Sequence, residues 1–188
     1  MRKLLVLPAF LVFVSLIALS QESVTVSNDF VHKQFGKDFT LVTEVGAMTG
    51  DLDGDGVEDL VIAARCKNPL LDQAQHDYTV VDPYMSFYGY GDPTVTLSFG
   101  DGDPMRSGLV VLIIHGAGPQ GWHSDSPKAK FVVINLPYRQ LSVRRFTLSK
   151  KKKVQAIYVE ESNELKETSA VYFDGKHYKY VPMGESVQ

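Results

Sequence analysis

The sequence predicts a mainly β protein: one compact, mostly antiparallel sheet domain, a sandwich or a partial propeller, with a short helix near its start. Three observations carry this. Leu109-Val-Val-Leu-Ile-Ile114 and Phe131-Val-Val-Ile-Asn-Leu136 are continuous apolar runs bounded by glycine and proline, the pattern of strands buried on both faces. Thr94-Val-Thr-Leu-Ser-Phe99 alternates, with Val95, Leu97 and Phe99 on one face. Ala170 to Val181 reads as a hairpin closed by a two-residue Asp174-Gly175 turn and stopped by Pro182.

Taken in order, the first ordered element is a short helix from Ser27 to Gly36. Ser27 or Asn28 can cap it, Phe30, Val31, Gln34 and Phe35 gather on one side, and Gly36 can close it. Thr40 to Val45 is strand-like in composition, and Leu60-Val-Ile-Ala-Ala64 reads as a short buried strand. Leu141 to Leu148 and Val154 to Val159 add two strands, with the basic run Lys150 to Lys153 turning between them. The two-residue turn predicts Phe173 opposite Lys176, Tyr172 opposite His177 and Val171 opposite Tyr178.

Between the strand-like segments at 40–45 and 60–64 lies Asp51-Leu-Asp-Gly-Asp-Gly-Val-Glu-Asp59. Asp51, Asp53, Asp55 and Asp59 occupy positions one, three, five and nine of this loop, and Val57 can add a backbone carbonyl. Gly56 permits the sharp bend that returns Asp59 to the others. Five acids in nine residues repel one another unless a positive charge sits among them. A hard cation with oxygen ligands answers that need, and Ca2+ suits it better than magnesium, which takes fewer protein ligands in a stricter octahedron. The plain alternative is a solvated acidic turn. An EF-hand is excluded, because position twelve is Ile62 rather than a bidentate glutamate and a strand follows where a helix should.

Over roughly residues 42 to 64 the chain resembles the FG-GAP and VCBS-type repeats, whose integrin-like loops read D-x-D-G-D-G-x-x-D-L. Asp51, Asp53, Asp55, Gly56, Asp59 and Leu60 match that pattern. Those repeats form propellers from several copies, since one blade cannot bury its own faces. Here there is one good copy. Phe99-Gly-Asp-Gly-Asp-Pro104 keeps two carboxylates without the continuation, so the resemblance implies the calcium loop and not a full propeller. Over its whole length the chain looks like small secreted bacterial proteins of this type, a likeness that implies no enzymatic activity.

Residues 1–20 read as a signal peptide: Arg2 and Lys3, then an apolar run from Leu4 to Leu19, then small residues at Ala18 and Ser20. The expectation is a mature domain over 21–188, secreted or periplasmic, with no membrane span left after processing; an uncleaved anchor is the alternative. Losing Arg2 and Lys3 leaves 17 of the 19 basic residues against 22 acids, a formal charge of −5, which argues against nucleic acid as a partner. Cys66 is the sole cysteine, so no disulfide forms within the chain. Its expected role is a small buried hydrophobe, with pairing between chains as the alternative.

Other candidate sites are weaker. The aromatic loop Pro83 to Tyr90 offers Tyr84, Tyr88 and Tyr90 to a glycan or protein ligand, or folds back over one end of the sheet. His115-Gly-Ala-Gly118 has the look of an oxyanion loop, but no serine stands in a G-x-S-x-G elbow, which favours a plain turn. His115 and His123 lack the third ligand of a zinc site. The expected function is therefore a secreted, non-enzymatic, calcium-binding module with a structural, adhesion or ligand-binding role. The competing expectation is a small extracytoplasmic hydrolase using His115, His123 and the acids Asp101, Asp103 and Asp125.

Overall fold

The structure, a computed structural model, describes residues 24–90, 107–161 and 167–183. The proposed signal segment, the Thr94–Phe99 strand and the Phe99–Pro104 segment lie outside the described residues. The fold is mainly β, with two sheets packed face to face and short helices at the periphery. The first sheet holds β1 (Phe39–Leu41), β2 (Met48–Gly50), β3 (Asp59–Cys66), β4 (Thr79–Val81), β5 (Leu109–His115) and β6 (Ala129–Val133), in the order β1-β3-β5-β6-β4 with β2 also on β3. The second is a meander of β7 (Gln140–Thr147), β8 (Lys153–Glu160), β9 (Ser169–Phe173) and β10 (Tyr178–Pro182). All pairings are antiparallel except β4 with β6.

Alternate residues of β3 and β5 explain why their sequences are apolar throughout. Val61, Ala63, Val111 and Ile113 face the second sheet, where they meet Val143, Ile157, Val159 and Val171. Leu60, Ile62, Leu112 and Ile114 face the other way, against Val31 and Phe35 of helix α1 (Asn28–Phe35). The first sheet is thus a middle layer, buried on both sides. Helix α1 starts where Ser27 Oγ accepts the Phe30 N–H at 3.2 Å and ends at Gly36, whose φ of 107° suits glycine. Two further short helices, α2 (Gln73–His76) and α3 (Pro83–Phe87), flank β4. No described helix is long and apolar enough to cross a membrane.

Four expectations are corrected in detail. The strand expected at 40–45 stops early: β1 ends at Leu41, and β2 forms beyond it at Met48–Gly50, the two pairing with opposite ends of one edge of β3. The strand expected at 131–136 is β6 at Ala129–Val133, ending before Asn135, whose φ of 56° breaks the extended path. The aromatic loop is largely helical, because Asp82 accepts the Met85 N–H at 2.8 Å and Pro83 fits the first helical turn. The C-terminal hairpin pairs Phe173 with Tyr178 and Val171 with Tyr180, two residues out from the predicted register. Asp174 causes this: its Oδ1 accepts the N–H groups of Lys176 and His177, both at 2.8 Å, widening the turn to four residues. The shift is even, so every side chain keeps its face.

Candidate metal centre

The acidic loop connects β2 to β3 and bends at Gly54 and Gly56, which adopt φ of 78° and 84°. Positive φ at both positions explains the glycines. The bends let the loop wrap its own donors. Asp51 accepts the N–H groups of Gly54 at 2.8 Å and Gly56 at 3.0 Å, Asp53 accepts that of Asp55 at 3.2 Å, and Asp55 accepts that of Val57 at 2.8 Å. Carboxylate oxygens of Asp51, Asp53 and Asp59 lie within 4.8 Å of one another, the one such group among the described residues, and these three could hold a metal ion.

Asp59 is the anchor. It opens β3, is fully buried, and accepts the Leu52 N–H at 2.7 Å and the Gly116 N–H at 2.8 Å. Burial pushes its pKa up to about 6, and the nearby Asp53 charge pushes the same way, while the two N–H donors oppose them. A cation beside it would remove much of that penalty. Each carboxylate oxygen keeps a second lone pair after accepting one N–H, so the donors do not preclude coordination.

Asp55 is not one of these three, but it adjoins Asp53. Its Oδ2 accepts from Lys128 Nζ at 2.9 Å, and Asp53 Oδ2 accepts from the same ammonium at 2.6 Å. Lys128 holds the Asp55 carboxyl below the ordinary range, and the two aspartates in turn raise the lysine's pKa. Lys128 was not legible as part of the site, because it lies 75 residues from Asp53 in the chain and carries no motif.

The floor of the site comes from the His115-Gly-Ala-Gly118 turn. A side chain at Gly116 would strike the Glu58 carbonyl oxygen and the Gly121 backbone, so only glycine lets this turn press against the loop. Trp122, in the 3₁₀ segment Gly118–His123, donates its indole N–H to Glu58 at 3.1 Å. His115 is 2% exposed; its Nε2 lies 2.6 Å from the Tyr178 hydroxyl and its Nδ1 3.6 Å from Asp53. Burial lowers the His115 pKa, with Asp53 working against it.

The remaining candidates are dispersed. His123 stacks on Trp122 at 3.5 Å, and no group of three ligating side chains among the described residues contains it or His115. Asp125 is exposed and pairs with Lys33 at 3.6 Å; Asp101 and Asp103 lie outside the described residues. Tyr84 packs on the core and against Tyr180 at 5.2 Å, so it covers the end of the sheet, while Tyr88 and Tyr90 stand exposed. Cys66 is buried and its thiol free. No family model, curated protein or solved structure matches the chain.

Proposed function

We propose that the protein is an exported, non-enzymatic calcium-binding module related to the FG-GAP and VCBS-type repeats. The observation that carries this reading is the convergence of Asp51, Asp53 and Asp59, with Asp59 also tied to the turn after β5 through Gly116. An ion there would clamp β2, β3 and that turn together, and Val57 would supply a backbone oxygen as its position in the loop implies. Calcium is favoured over magnesium because several carboxylates converge, and calcium accepts more protein oxygens in a less strict geometry. With a dissociation constant of ~0.1 mM and ~1 mM calcium, linkage adds about 1.4 kcal/mol, useful to a domain without a disulfide.

Burial supports the non-enzymatic side of the reading. His115, one of the two histidines of the hydrolase reading, is enclosed and engaged with Tyr178 rather than open to a substrate, while His123 is exposed and stacked on Trp122. The partner is an extracellular or periplasmic protein or glycan, and the exposed Tyr88 and Tyr90 are the aromatic faces best placed to meet it. Calorimetric titration tests the ion: calcium should bind to the chain and not to Asp53→Ala, whereas equal binding by the variant would place the ion elsewhere.

A further inference from the structure

Lys128 immediately precedes β6, and its backbone N–H is fixed to the His115 carbonyl at 3.0 Å. From there its side chain reaches across to the acidic loop, where one ammonium bonds both Asp53 and Asp55. Asp53 is almost wholly enclosed, with 3% of its side chain exposed, whereas half of the Lys128 side chain is in solvent. The carboxylate is therefore built in, and the ammonium can leave into water.

A calcium ion held by Asp51, Asp53 and Asp59 would lie about 2.3–2.6 Å from its oxygens. The ammonium is 2.6 Å from an Asp53 oxygen, so both cations would be crowded within a few ångströms around one carboxyl. Like charges that close repel strongly even at the dielectric of a protein surface. We propose that Lys128 is an intramolecular competitor for the ion site: it offsets part of the negative charge of Asp53 and Asp55 when calcium is absent, lowers the calcium affinity, and is released when the ion binds. This inference rests on the calcium reading above. It makes ion-free stability and ion affinity trade against each other.

The test is calcium titration calorimetry on chelator-stripped protein, comparing the parent chain with Lys128→Gln and Lys128→Arg. Lys128→Gln should bind calcium about tenfold more tightly, with Lys128→Arg near the parent. Unchanged or weaker binding by Lys128→Gln, with the parent still binding, would overturn the competition and leave the ion site standing. Absence of binding in both would overturn the calcium reading itself, and the competition with it. Should Lys128→Gln not fold, the parent's Lys128 ammonium nitrogen resonance gives the same answer. A shift with faster hydrogen exchange on calcium saturation supports release, and an unmoved resonance contradicts it.

Discussion

The carboxylate of Asp59 accepts the backbone N–H of Gly116 at 2.8 Å, joining two residues 57 positions apart in the chain. Its other oxygen accepts the Leu52 N–H, so one buried side chain ties the acidic loop both to itself and to the turn after β5. Asp51 accepts instead from the exposed backbone N–H groups of Gly54 and Gly56. The two aspartates share the candidate ion but carry very different structural loads.

That contrast yields the first prediction. Asp59→Ala leaves two buried N–H groups without partners, at about 1–3 kcal/mol each. Urea denaturation in chelator should therefore show a loss of about 2 kcal/mol or more. Asp51→Ala should cost less than about 1 kcal/mol in chelator, since water can replace an exposed partner. Both should lose any calcium-dependent gain, and a calcium response retained by Asp51→Ala would remove it from the ligand set.

Gly116→Ala should destabilise without touching a carboxylate. The added methyl meets backbone of Glu58 and Gly121 rather than a flexible side chain, and overpacking of this kind costs about 1–3 kcal/mol. A fall of about 4–8 °C in melting temperature follows for a 2 kcal/mol loss in a domain of this size.

Asp82 gives a pH signature. Burial raises its pKa above the ordinary 3.8, although Met85 N–H and the Asn135 amide oppose the rise. A folded pKa above the unfolded one means a stability contribution that is complete below the unfolded value and lost as pH climbs through the folded value. Asp82→Asn, which keeps an oxygen for Met85, removes that decline. The variant's stability relative to the parent should rise with pH just above 3.8 and then level off. Parallel denaturation curves across that window would contradict this.

Cys66 should be silent to thiol reagents in the native protein. Burial pushes its thiol up to about 12, so almost no thiolate exists at neutral pH. Reaction with a chromogenic disulfide should appear only on denaturation, and prompt native labelling would contradict the buried assignment.

Much of the fold was legible in the residues because burial leaves a direct signature. The apolar runs of β3 and β5 announced strands covered on both faces, and Ser27 announced the start of α1. The carboxylate spacing announced a loop that gathers Asp51, Asp53 and Asp59. What could not be read were contacts that depend on distant chain meeting the loop. Gly116 resembled an ordinary turn glycine, and its constraint appears only once Glu58 lies against it. Lys128 resembled any surface lysine until β6 carried it beside Asp53. The hairpin register failed for a local reason, since a side-chain acceptor at Asp174 favoured a four-residue turn over the two-residue one its Asp-Gly pair suggested.

The most direct test of the central claim is a thermal melt in chelator, then with calcium and magnesium added separately. The calcium reading predicts a rise of about 3–6 °C at ~1 mM calcium, from the linkage gain of about 1.4 kcal/mol, and a much smaller rise with magnesium. No shift with either ion, or equal shifts with both, would contradict a calcium site at Asp51, Asp53 and Asp59.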